Sequence, residues 1–412
     1  MENKKFSFLL TGTYSSYNKG DAAMQLATAG ALKKRWPNCE ITISAPFPEY
    51  DKNLYRNYNI VRSRRRKIIS SSFLLLPLSI YWALSKVGIN LNFLLLTKEL
   101  KAIKEADILI DLSGDTITED YGPHVTYSHL LPIMSAHLLG TPVYICAQSM
   151  GPFKLTRWLV KLTLRGCAGI TARERVTYEY LESLGLPKNK LYLESDMAFL
   201  LEPIPKIKIN KVLQKEKVDL SKPLLGITVS GIIQKRFNKV NKEYFDISFA
   251  NILDDVIDNF GVNVLFVSHV TGPTDEKDDR IVANSILANM KNRKNAFALN
   301  DDYGPQEVKG IISFCKVFLG SRMHSNIAAL STNVPTIALS YSHKTLGIMS
   351  TLGMQEYIID AKYIDRFTVN EKLNDILENH DSMTKTLKSK NEKIKKSSLE
   401  NVNKINNILK NN

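Results

Sequence analysis

The stretch from Cys315 to Leu330, CKVFLGSRMHSNIAAL, changes period in its middle. Lys316 to Gly320 is a short apolar run of strand type, whereas from Ser325 onward the apolar residues take helical spacing. The turn between them carries Ser321, Arg322, Met323 and His324. In an α/β sheet such a turn lies at the carboxyl end of a strand, where ligands bind, and the new helix offers unpaired backbone N–H groups to anions. A guanidinium grips a phosphate or carboxylate bidentately, and an imidazole moves protons near neutral pH. Arg322 and His324 are therefore the candidate catalytic residues, with Ser321 and Ser325 beside the bound anion. The alternatives are an Arg322 that only pairs with a carboxylate and a His324 that is a hydrogen-bonded structural imidazole.

Outward from this turn the same alternation of strand and helix recurs. In the first half, strands are predicted at Phe6–Leu10, Glu40–Ser44, Ala106–Leu112, 142–149 and 168–173. Between them lie helices at Ala22–Arg35, capped by Asp21, at Tyr127–Leu139 and at Lys154–Arg165. Glu202 to Asn210, held extended by Pro203 and Pro205, reads as an interdomain linker. A second series follows, with strands at 224–230 and 263–269, helices near 248–259 and 275–290, the opening turn, and a strand at 335–341. Repeated βα units predict an α/β chain of two Rossmann-like domains facing across a cleft, a GT-B-like architecture. The expected divisions are 1–205 and 206–370 for the two Rossmann-like domains and 371–412 for a basic helical tail. In that tail Leu387, Ile394, Leu399, Val402, Ile405 and Leu409 form a sparse stripe, expected of a solvated helix.

At 412 residues the chain exceeds one ordinary core, which supports two domains. Cys39, Cys146, Cys167 and Cys315 show no CxxC spacing and lie in or beside apolar segments, so buried thiols in a reducing compartment are expected. The first residues, MENKKFSFLLTGTY, hold an apolar run too short for a signal peptide, and the expected location is cytoplasmic. The net charge of +14 asks for an acidic partner. No aromatic-rich basic motif points to nucleic acid, which leaves a phosphorylated metabolite or an anionic membrane.

Part of the positive charge sits at Arg62 to Lys67, directly before the nearly charge-free run from Ile68 to Ser85 within a hydrophobic segment 68–97. A buried or cleft-lining helix is the first reading. Peripheral membrane contact through 62–97 at the cytoplasmic face is the rival, with the basic cluster on lipid headgroups and Phe73 to Leu76 and Trp82 inserted.

Other candidates lie at strand ends. Asn18 and Asp21, around Lys19 and Gly20, can hold a sugar hydroxyl or simply make a capped turn. Asp115, Glu119 and Asp120 can meet sugar hydroxyls or a divalent ion, or form a solvated turn; with His124 and His129 they show no recognisable metal spacing, and no metal is expected. Gln148, His269 and Lys344 also fall where ligand is reached, and Arg173 is a second candidate anion clamp or an ordinary surface residue paired with charge.

Together these segments resemble the polysaccharide pyruvyl transferase family. The resemblance rests on Asn18-Lys19-Gly20-Asp21, Gln148-Ser149-Met150-Gly151-Pro152, Arg173-Glu174, Ser195 to Phe199, Ser321 to His324, and Tyr341 to Lys344 with Gly347. The chain departs from the family pattern with Ser113-Gly114-Asp115 in place of a glycine triplet and Arg173-Glu174 in place of Arg-Asp. The resemblance implies transfer of a pyruvyl group from phosphoenolpyruvate, as co-substrate, to a diol of a cell-surface glycan or its lipid-linked precursor, forming a ketal with no cofactor, with 1–205 the acceptor side and 206–370 the donor side. A glycosyltransferase using a nucleotide sugar and a non-catalytic glycan-assembly protein of the same fold are the alternatives.

Overall fold

In a computed structural model the protein is described over residues 5–65, 67–89, 91–237, 242–340 and 343–411. Two compact units emerge: residues 1–16, 24–200 and 396–412 form one, and residues 17–23 and 201–395 the other.

The first unit is built on a seven-stranded sheet of β1 (Ser7–Thr11), β2 (Glu40–Ala45), β3 (Asn59–Arg62), β4 (Ile108–Asp111), β5 (Val143–Gln148), β6 (Gly169–Ala172) and β7 (Leu191–Leu193). The strands run in the order β3-β2-β1-β4-β5-β6-β7, and every pairing is parallel. Strands buried on both faces read as unbroken apolar runs, as FLL and ILI do here. One face is covered by Leu75–Ser85, Lys98–Glu105, Pro123–Leu139 and Arg157–Arg165, whose inward residues join Leu109, Val143 and Ile145 in one cluster.

The second unit carries a six-stranded parallel sheet of β8 (Leu224–Thr228), β9 (Asn263–Phe266), β10 (Ala296–Ala298), β11 (Val317–Gly320), β12 (Thr336–Ser340) and β13 (Ile358–Asp360), ordered β10-β9-β8-β11-β12-β13. Alternate residues face opposite layers, as a period of two requires. Val317 and Leu319 pack under Lys242–Phe260, Asp279–Asn289 and Arg366–Glu378. Phe318 packs against Lys206–Lys215, Pro305–Ile312 and Met323–Ser331.

In both sheets the strand order reverses beside the first strand, between β1 and β4 and between β8 and β11, which is where doubly wound sheets bind ligands.

Several local expectations are corrected. The first helix starts at Lys19, with Asp21 inside its first turn; Asn18 is the capping residue, its Oδ1 accepting from Gly20 N at 3.0 Å. The expected linker becomes a helix at Lys206, because Pro205 suits a helix start and Ile209 and Leu213 find a core. The terminal helix His380–Asn411 is not simply solvated. Leu387, Ile394, Val402 and Ile405 are buried, and within the first unit Asn401 accepts from the Tyr144 hydroxyl at 3.0 Å. The four cysteines are free and buried.

The run from Ile68 is not a buried helix. It forms Ile68–Phe73 and Leu75–Ser85, of which only Ser71, Leu78 and Tyr81 are buried.

Candidate active site

The turn after β11 stands at the switch point of the second sheet. Arg322 precedes the helix Met323–Ser331 in extended conformation, so its side chain leaves the strand end as the helix begins. Nη2 meets Asp279 Oδ1 at 2.6 Å and Nε meets Oδ2 at 3.3 Å. Asp279 also accepts from Val270 N at 2.9 Å and His269 N at 3.3 Å, tying the loop after β9 to the turn after β11. Burial pushes the Asp279 carboxyl upward, against the pull of Arg322 and of these backbone donors.

The segment around Lys19 belongs to this unit. Thr271 N donates to Tyr17 O at 3.0 Å and Lys19 N to His269 O at 2.9 Å, so residues 17–19 run antiparallel to 269–271. Lys19 is buried, and its ammonium donates to Asp302 Oδ1 at 2.5 Å. Burial lowers its pKa while Asp302 pulls the other way. Gly20 faces His324 so closely that a Cβ there would lie 2.5 Å from the ring Cγ and Nδ1. Gly320 similarly leaves room for Asn326, whose amide oxygen a Cβ would overlap.

His269 is buried, and neither ring nitrogen has a hydrogen-bond partner among the described residues. Burial first, then His324, Arg322 and Lys19, hold its pKa well below the ordinary 6.5. It is neutral at pH 7, with one donor and one acceptor to offer. Ser321 Oγ and Asn326 Oδ1 are buried without partners among the described residues at the same end of the sheet. Ser325 Oγ donates back to Arg322 O at 2.7 Å. Lys19, Arg322, His269 and His324 thus gather at one end of the sheet, with Lys19 paired to Asp302 and Arg322 to Asp279.

Asn18 and Asp21 fall in this second unit and engage each other, Asn18 Nδ2 to Asp21 Oδ1 at 3.1 Å. Lys344 lies on the helix His343–Leu352, but its side chain, like Tyr341 and Ser342, is outside the described residues.

The first unit has its own polar cluster at the β1/β4 switch point. Arg65 is buried and donates to Gly12 O and, at 2.8 Å, to Thr13 O. It also reaches His129 Nδ1 at 3.1 Å, which Ser113 Oγ meets at 2.7 Å. An Arg donor on Nδ1 requires that nitrogen to be unprotonated, in keeping with a His129 pKa driven well down by burial and by Arg65. Gln148 donates to Asp111 O at 2.9 Å, and burial pushes the Asp111 carboxyl up. Asp115 accepts from Tyr121 at 3.1 Å, while Glu119 accepts from Thr156 N and Oγ1, both at 2.7 Å, and so organises a turn. Among the described residues no group of three or more His, Cys, Asp or Glu is arranged for a metal ion. Arg173 has a fully buried side chain, with Nη1 paired to Asp196 at 2.7 Å and Nε donating to Ser149 at 2.9 Å, while its Nη2 has no partner among the described residues.

Sequence reasoning did not single out Lys19, Asp279 and Asp302, nor Arg65 and His129 as partners. For Lys19 a signal existed, its place in the quoted Asn18 to Asp21 segment; for Asp279 nothing local marks it among the charges of 275–280.

The depressed histidines make stability depend on pH. Between their lowered folded values and 6.5 the unfolded chain holds protons that His129 and His269 refuse in the fold, so stability is lost as pH falls below 6.5. Each contributes about 1.4 kcal/mol per pH unit through that window. The raised Asp111 and Asp279 act oppositely, as their folded forms keep protons above 3.8, and soften the slope. Melting followed from neutral pH down through this window should show a falling Tm, with a smaller fall in His269→Asn. A Tm that is flat or rises would contradict the assignment of neutral, buried imidazoles.

The architecture and site define a two-domain, GT-B-like α/β protein with a buried cluster of ion pairs and histidines at the switch point of its second sheet. Two solved structures share the fold: the UDP-GlcNAc 2-epimerase from Neisseria meningitidis, with a TM-score of 0.61 at 12% identity covering 97% of this chain and 99% of that one, and a glycosyltransferase from Rickettsia africae, with 0.61 at 13% covering 99% and 100%. The chain belongs to the polysaccharide pyruvyl transferase family, which it matches over residues 18–343. It is 24% identical over 392 residues to the amylovoran biosynthesis protein AmsJ of Erwinia amylovora, covering 91% of this chain and 93% of that protein. Membership places it in a family of transferases that act on polysaccharides.

Proposed function

We propose that the protein transfers a pyruvyl group from phosphoenolpyruvate to a sugar diol of a glycan or its lipid-linked precursor, forming a cyclic ketal. The donor carries a phosphate and a carboxylate on its enol carbon. One sugar hydroxyl attacks that carbon while a proton reaches the methylene carbon, which becomes the methyl group. Phosphate then leaves and the second hydroxyl closes the ring. Of the two hydroxyl protons, one ends on the methyl group and the other on phosphate, so no redox partner is needed.

Arg322, beside the first turn of Met323–Ser331, suits the role of anion clamp, with Lys19 as a further cation. His324 is the acid and base; such positioned proton transfer contributes about 10²–10⁴-fold. The observation that carries this reading is the set of buried polar groups without partners among the described residues, the His269 ring, Ser321 Oγ and Asn326 Oδ1, at the same end of the sheet as Arg322 and His324. Buried polar groups are nearly always hydrogen-bonded, and orphans grouped at a strand end suit a ligand.

The test is incubation with phosphoenolpyruvate and a panel of sugar and lipid-linked sugar acceptors, following phosphate release and product mass. Acceptor-dependent release with a pyruvylated product is expected. A thermal shift from a uridine or guanosine diphosphate sugar, with none from phosphoenolpyruvate, would turn the reading to a glycosyltransferase.

A further inference from the structure

We infer that the first unit docks on an anionic lipid bilayer through the outer surface of the helices Ile68–Phe73, Leu75–Ser85 and Arg157–Arg165. Ile68–Ser85 is the one candidate membrane span among the described residues, with a mean hydropathy of 1.6, yet only 11% of it is buried. The exposed residues have a pattern. Ile69, Phe73, Leu76 and Ile80 follow spacings of four, three and four, which is one side of a helical path, and are 77%, 74%, 70% and 47% exposed. The opposite side holds Leu78 and Tyr81, which are buried.

Arg157–Arg165 repeats this arrangement. Val160 and Leu164 are buried, whereas Trp158 and Leu162, four apart, are 69% and 65% exposed, and Leu155, in the turn before the helix, is 74% exposed. A surface helix needs one apolar stripe; this one has a second, turned outward. Both segments pack on Pro123–Leu139, and both send their inner residues into the cluster that covers one face of the sheet. Their outer stripes therefore lie on the same side of the unit. Phe93 and Leu96, at 72% and 64% exposure, extend the surface.

Charge identifies the occupant. Arg62, Lys67, Lys86, Lys98, Arg157 and Arg165 are exposed along these segments. No acidic residue occurs from Arg62 to Lys98, or from Lys154 to Arg173. A lone apolar face would suit another protein, but an apolar face set among cations, with carboxylates at its margins in Glu49 beside Arg62 and Glu119 beside Leu155, suits a bilayer bearing anionic headgroups. Trp82, with Lys86 Nζ 3.7 Å from its ring centroid, has the composition of an interfacial anchor. Spanning is excluded by topology. The run lies between β3 and β4, which belong to one sheet, and a single crossing would part them. Its 18 residues reach about 27 Å, short of a ~30 Å hydrocarbon core. The segment lies in the interface.

The experiment is flotation of the full chain with vesicles of phosphatidylcholine alone or mixed with phosphatidylglycerol, at low and high salt, with no substrate present. Its outcome is therefore independent of whether the transferase reading holds. Binding to the mixed vesicles is expected, at least tenfold weaker without phosphatidylglycerol and weakened by salt. The variant Phe73→Ser/Leu76→Ser/Trp158→Ser changes only exposed positions, and circular dichroism checks its fold. It should lose binding at least tenfold. Absence of flotation with anionic vesicles, or undiminished flotation of the folded variant, would overturn the inference. So would a dimer that the variant makes monomeric without any vesicle binding, since the face would then join two copies of the chain.

Discussion

Asp279→Ala should cost about 3–5 kcal/mol of stability and at least about 10²-fold in kcat/KM for phosphoenolpyruvate. The carboxylate is 1% exposed and opposes an Arg322 side chain that is 19% exposed. Its removal leaves a largely buried guanidinium without its counter-charge and takes the acceptor from Val270 N and His269 N. Arg322→Met should cost stability for the mirror reason, since it strands a buried carboxylate. The informative case is the double variant Asp279→Asn/Arg322→Met. It removes both charges and keeps an oxygen for the backbone donors, so most of the lost stability should return, as buried ion pairs are often replaceable. Activity should not return, because the guanidinium that would meet the donor's anions is gone. Urea unfolding measures the first effect and phosphate release the second. Recovery of activity together with stability would mean that the pair only holds the two loops and that the anion is bound elsewhere.

How much of this was legible depends on the kind of information each residue carries. Strand positions were legible because a buried parallel strand writes its burial into a continuous apolar run, and the turn at Ser321 to His324 because two periods meet there. Side-chain direction was not. In Arg62 to Lys67 the sequence shows a charge cluster; the fold turns Arg65 inward onto Gly12, Thr13 and His129 and leaves Lys67 in solvent. Arg173 looked like an available cation and is bound to Asp196, a partner 23 residues on. The apolar content of 68–85 was plain, but hydropathy counts apolar residues without saying what covers them. The tail erred the other way. Its stripe was sparse because buried Asn391, Ser398 and Asn401 take core positions through hydrogen bonds, which a hydrophobic pattern cannot register.

Gly20→Ala should lower kcat by roughly 10²-fold while the protein stays folded. On helix propensity alone the change is favourable, because alanine exceeds glycine by about 1 kcal/mol in a helix interior. Here the new methyl would stand 2.5 Å from Cγ and Nδ1 of His324 and 2.6 Å from its Cβ. These atoms are near the root of the side chain, so turning the ring tip cannot clear the clash; the imidazole must be displaced bodily or the helix start must shift. Overpacking of this kind costs about 1–3 kcal/mol, enough to cancel the propensity gain without unfolding the chain. The consequence falls on the proton-transfer group, since a displacement of about 1 Å is worth about 10²-fold in rate. Gly30→Ala is the control in the same helix: Gly30 is exposed, and a Cβ there meets nothing within 4 Å. It should raise stability by about 1 kcal/mol and leave kcat unchanged. Steady-state phosphate release with phosphoenolpyruvate and acceptor separates the two variants, and binding of phosphoenolpyruvate should weaken far less than turnover in Gly20→Ala. Equal kcat values for the two would show that the approach of Gly20 to His324 has no part in positioning the imidazole for chemistry.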